Sequence, residues 1–109
     1  MEAIQTGSNI RVTYLEPTTN SDGSPLADLT KTEVEADWGS GFQVVGSVQA
    51  SSQNGGGQQA IDFTVPVNTA GAELTVKIRA FAFDDNNNKS EPSQEIVLSI
   101  DTLAPAPPQ

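Results

Sequence analysis

An all-β fold, two antiparallel sheets packed face to face, is predicted by three features of this 109-residue sequence. Apolar side chains recur at every second position rather than at helical spacing. Clusters of Gly, Asn, Asp, Ser and Pro interrupt that alternation about every ten residues, as the turns of a sandwich do. Lys, Arg and Met, which favour helices, are few.

Each element follows from the alternation. A weak strand is expected near residues 2–5. The first clear one is 9–17, with Ile10, Val12 and Tyr14 on one face and Arg11 and Thr13 on the other. Pro17, Pro25 and the Asp22-Gly23 pair mark a long loop. Alternation resumes over 29–38 with Val34, Ala36 and Trp38, and a Gly-Ser-Gly turn at 39–41 leads to a strand over 42–50. Its pattern is broken, and Gly46 points to a bulge or an edge. The stretch 51–59, SSQNGGGQQ, reads as a slack hairpin connection. Ile61, Phe63 and Val65 share a face in 60–67, and a turn is expected at 68–73. The longest strand, 73–83, turns Leu74, Val76, Ile78 and Ala80 inward and Thr75, Lys77 and Arg79 outward. A polar loop then precedes the last strand, 94–101, with Ile96, Leu98 and Ile100 on one face.

Seven half-apolar strands make a sandwich the better expectation than an up-and-down barrel, whose hairpins would be more uniform. The organisation expected is a lead-in over 1–7, the sandwich over 8–101, and an extended proline-rich arm over 102–109.

Composition excludes several chemistries. There is neither cysteine nor histidine, which removes disulfides, thiolate or imidazole metal sites and the usual nucleophile–histidine pairs. Five basic against 14 acidic residues give a net charge of −9, so nucleic acid and anionic membrane surfaces are not expected partners. The acidity serves solubility, or attraction to a basic patch or cation on a partner. No apolar run approaches the roughly 20 residues of a membrane span. The first ten residues, neither basic nor apolar, do not read as a signal peptide.

No catalytic constellation emerges. Lys31, Lys77 and Lys89 fall on outward or loop positions, unsuited to a buried serine–lysine pair. Glu33, Glu35 and Asp37 alternate along one strand, which assigns all three to the solvent face. No cofactor is expected. Trp38 and Phe42 are expected to plug the core, the alternative being an edge strand open to pairing with a neighbouring chain.

The candidate binding residues lie in loops. Asp84, Asp85, Asn86, Asn87 and Asn88 gather two carboxylates and three amides in one stretch. Calcium takes such oxygens, but the spacing departs from that of an EF-hand, and Asp and Asn also suit left-handed turns. Asp22, in the first long loop, is expected at the same end of the sandwich, forming one acidic pole with Asp84 and Asp85.

Three stretches together resemble a fibronectin type III domain of the bacterial or bacteriophage type. They are VTYLEPTTNSDGSPLADLTKTEVEA (12–36), AELTVKIRAFAFDDNNNKSEPS (72–93) and the tail TLAPAPPQ, and the likeness spans residues 8–107. It implies an immunoglobulin-like sandwich in which Tyr14 takes the place of the family's tryptophan between the sheets. Leu74 stands where the family has the tyrosine of its corner hydrogen bond, so that bond is expected to be missing. Thr32 replaces an aromatic of the third strand. The function expected is a non-enzymatic structural or interaction module, in first place a bacteriophage virion accessory protein of head or tail. The alternative is a spacer or binding module of a secreted bacterial enzyme or adhesin. The partner would be a virion protein, a neighbouring domain or a surface glycan, with a homo-oligomer open, and the location the virion or else the exterior or cell surface.

Overall fold

The computed structural model describes residues 1–66, 74–101 and 105–109. The turn expected at 68–73 and the root of the arm lie outside the described residues. Among the described residues there are seven strands and no helix, hence none long and apolar enough to cross a membrane. The strands are β1 (Glu2–Thr6), β2 (Asn9–Leu15), β3 (Leu29–Asp37), β4 (Phe42–Gln49), β5 (Gln58–Thr64), β6 (Leu74–Asp84) and β7 (Ile96–Ile100). They form two antiparallel sheets, β1-β2-β5 and β4-β3-β6-β7. The molecule is therefore a β-sandwich rather than a closed barrel, and residues 2–6 contribute its first edge strand.

Alternation decides the core. Ile10, Val12 and Tyr14 of β2 and Ile61 and Phe63 of β5 meet Val34, Ala36, Val76, Ile78, Ala80 and Ile100 of the other sheet. Trp38 joins them from the end of β3, edge-on to Phe63 at 6.3 Å. Leu74 packs against the same cluster. Tyr14 and Thr32 share a buried hydrogen bond of 2.6 Å between hydroxyls on opposite sheets, so the polar residue in β3 has its partner in the core. Burial pushes the Tyr14 hydroxyl above its ordinary value, which keeps it protonated.

The irregularity expected at Gly46 is a bulge. Val34 pairs with Gly46 and Glu35 with Val44, leaving Val45 as the extra residue. Gly46 is required there by proximity, because a Cβ would run into the side chain of Ile61 on the facing sheet.

The connection at 51–59 is not slack. Glu16, at the end of β2, is only 3% exposed, and its carboxylate accepts bonds from Ser51 N (2.9 Å), the Ser51 hydroxyl, Gly57 N (3.0 Å) and Gln59 Nε2 (2.9 Å). Burial alone would push this carboxyl up, but those donors outweigh it and hold it below its ordinary value. Gly55 sits against the Pro17 carbonyl and Gly57 against Ser51 and Glu16, so a Cβ at either position would collide. Leu29 N and Asn54 Nδ2 complete the tie, bonding to Gln53 O and Leu26 O at 3.0 and 3.1 Å.

Candidate interaction site

The outer face of the four-stranded sheet carries an ordered layer of aromatic and charged side chains. Strand register sets its rows: Val97, Lys77, Asp37 and Phe42 lie across one, and Arg79, Glu35 and Val44 across the next. Along β6 the same parity turns Phe81 and Phe83 outward after Arg79. Aromatic rings and cations then alternate. The Arg79 guanidinium lies 3.8 Å from the centre of the Phe42 ring and 5.1 Å from that of Phe81. The Lys89 ammonium follows at 3.9 Å from Phe81, and Lys31 stands 4.8 Å from Phe83. Such contacts hold long side chains in place and shield the rings from water.

Acidic groups beneath this layer neutralise it. Glu35 bonds Arg79 at 2.9 Å and approaches Lys89 at 3.5 Å, while Glu33 pairs with Lys31 at 3.0 Å. The expectation that Glu33, Glu35 and Asp37 all face open solvent is therefore corrected. Glu35 points outward but is 8% exposed, roofed by Arg79 and Lys89. Phe42 is corrected likewise: it lies under Arg79 on the outer face, outside the core cluster that includes Trp38. Four of the five basic residues (Lys31, Lys77, Arg79, Lys89) occupy this face, and Val44 and Val97 stand exposed to either side. Aromatic side chains and arginine are what protein interfaces are enriched in.

The loop residues are placed differently. Asp84 closes the β6 end, its carboxylate accepting bonds from Asn86 N (2.9 Å), Asn88 N (2.8 Å) and Asn88 Nδ2 (2.8 Å). Asn87 takes the left-handed conformation, at a φ of 61°. Asp22 folds onto its own turn, accepting from Ser24 N at 2.9 Å and the Ser24 hydroxyl at 2.6 Å. Bonds from Asn88 to Asp84, and from the Ser24 hydroxyl to Asp22, hold these two carboxyls below their ordinary range. Asp85 and Asn86 are exposed on the loop tip. Among the described residues no group of three or more acidic side chains is placed to hold a metal ion.

The two loops do share one end of the sandwich, where they flank a trough of about 900 Å³. Asn20 and Ser21 line one side, Asp84 and Asn88 the other, and Tyr14, Leu26 and Ala82 are among its apolar lining. Asp22, Asp85, Asn86 and Asn87 do not line it. The signal for the aromatic–cation face was in the sequence, since KIRAFAF carries Arg79, Phe81 and Phe83 at one parity. The trough had no such signal, because it depends on where neighbouring strands begin.

These features define a β-sandwich with an ordered outer sheet face and an open trough at one pole. Compared with family models, curated proteins and solved structures, the chain matches none.

Proposed function

We propose that this chain is a non-enzymatic interaction module of fibronectin type III-like architecture, serving as a bacteriophage virion accessory protein on the head or tail. The aromatic–cation face carries the reading, because it is pre-ordered by Glu33 and Glu35 and flanked by exposed Val44 and Val97. A surface already held in its bound form loses little entropy on docking. The strand order, three against four with β4 beside β3, supports the fold family the sequence resembles. Fold likeness leaves the partner open, and the virion setting rests on the resemblance.

The test is the fate of the chain in phage particles from its source. It is expected to co-purify with intact particles through a density gradient, and Val44→Glu or Val97→Glu is expected to release it. Recovery only from the culture medium, as part of a larger secreted polypeptide, would favour the spacer reading, to which the proline-rich arm is equally suited.

A further inference from the structure

The loop from β4 to β5 carries the sequence's one Asn-Gly pair, Asn54-Gly55. An asparagine followed by glycine is prone to spontaneous loss of its side-chain amide, because no Cβ shields the next backbone nitrogen from the carboxamide carbon. Both reacting groups are engaged elsewhere in the closed loop. Asn54 Nδ2 donates to the Leu26 carbonyl at 3.1 Å, and the Gly55 N–H donates to the Ser52 carbonyl at 3.1 Å. Asn54 is nonetheless exposed, so water reaches it. One group clasps the loop on either side of the pair. The Glu16 carboxylate accepts from Ser51 N before it and Gly57 N after it, at 2.9 and 3.0 Å.

We propose that Asn54 is a covalent modification site latched by the Glu16 clasp, its amide converting to a carboxylate when this loop opens. In the open loop the Gly55 nitrogen, its proton taken by solvent base, attacks Asn54 Cγ. A C–N bond forms, the bond from Cγ to Nδ2 breaks, and the amide nitrogen takes a proton from water and leaves as ammonia. Water then opens the resulting cyclic imide. Cleavage at Cγ leaves aspartate. Cleavage at the backbone carbonyl leaves the isoaspartyl linkage, in which the main chain runs through the former side chain. Water is consumed, ammonia is released and one negative charge is gained, with nothing oxidised or reduced.

Either product keeps the loop from closing again. A carboxylate has no donor for the Leu26 carbonyl, so two oxygens would face each other where a hydrogen bond stood. The isoaspartyl form adds a carbon to the main chain beside Gly55, where even a Cβ would meet the Pro17 carbonyl. An open loop takes the Ser51 and Gly57 donors from a buried Glu16. One slow reaction thus turns a closed loop into an open one for good. The inference concerns the loop alone and is independent of the virion reading.

Peptide mass spectrometry of the full-length chain, incubated at mildly alkaline pH, tests this. Conversion at Asn54 is expected to be about tenfold or more slower in the folded chain than in the same chain unfolded in urea. Glu16→Gln and Ser51→Ala each remove part of the clasp, and each is expected to raise the folded-state rate severalfold without changing the unfolded-state rate. Both variants are first checked for cooperative unfolding, and the milder Ser51→Ala decides the matter if Glu16→Gln does not fold. Converted protein, separated on an ion exchanger by its added charge, is expected to show fast amide exchange at Ser51 and Gly57 with the strands still protected. Equal rates in folded and unfolded chain would remove the latch. Unchanged rates in the folded variants would remove the part given to Glu16, and protected amides at Ser51 and Gly57 after conversion would remove the open product. Any one of these overturns the proposal.

Discussion

The side-chain amide of Gln5 meets the backbone of Asp101 twice, donating from Nε2 to the carbonyl at 3.0 Å and accepting the Asp101 N–H at 3.0 Å. It thereby imitates one rung of a ladder between β1 and β7, the edge strands of different sheets. On the opposite seam Gln59 bonds the Gln49 carbonyl at 3.2 Å, joining β5 to β4. A glutamine thus bridges the gap between sheets on either side.

Replacing Gln5 with Ala removes both bonds to Asp101. The expected loss is about 1–2 kcal/mol, measured by urea unfolding, with faster amide exchange confined to β1 and the end of β7. Uniform exchange across all strands would contradict the local role.

Glu16 should govern part of the acid sensitivity. Its carboxyl is held below its ordinary value of 4.5, so its contribution to stability is complete above that value and is lost as pH falls through the lower folded-state value. Urea midpoints of the wild type are expected to drop on acidification below about pH 4.5. Glu16→Gln, which cannot titrate, is expected to flatten that part of the curve. Glu16→Ala leaves the Ser51, Gly57 and Gln59 donors without their acceptor and should cost about 3 kcal/mol at neutral pH.

Tyr14→Phe strands the Thr32 hydroxyl in the core and is expected to destabilise by about 1–2 kcal/mol. Thr32→Val should do the same to Tyr14. The double variant is expected to lose less than the sum, because neither hydroxyl is then left buried without a partner. An additive double-mutant cycle in thermal unfolding would show that the bond contributes nothing.

Two glycines with the same backbone sign should respond unequally to alanine. Gly23, at a φ of 88°, has open space where a Cβ would go, so strain alone costs roughly 1–2 kcal/mol. Gly55, at a φ of 71°, would also drive its Cβ into the Pro17 carbonyl, and Gly55→Ala is expected to cost clearly more than that or to prevent folding. Similar thermal midpoints for both variants would mean that the loop over Glu16 yields freely.

Strand positions and the inward set were legible from alternation, because a strand's two faces differ by one residue and one face must leave water. Val76, Ile78 and Ile100 lie in the core for that reason. Parity also sent Arg79 and Glu35 outward, but it has no information on what covers an outward residue. Glu35 is closed over by Arg79 from the next strand and Lys89 from a loop. Phe42 belongs to that outer layer because β4 pairs Phe42 with Asp37, an outward position of β3. The glycines at 55–57 looked like slack because the neighbours of Gly55 and Gly57, Pro17 and Glu16, are about 40 residues away in the chain.

The amino-acid order by itself determined that this chain forms strands, which faces are apolar, and where turns fall, since backbone sterics and water act on each segment locally. Only the tertiary structure decided that Glu16 is anchored by a distant loop, that three phenylalanines and three cations interleave on one sheet, and that a trough opens beside Tyr14. Those outcomes depend on which strands become neighbours and where each begins, and they arise from contacts between segments that share no local pattern.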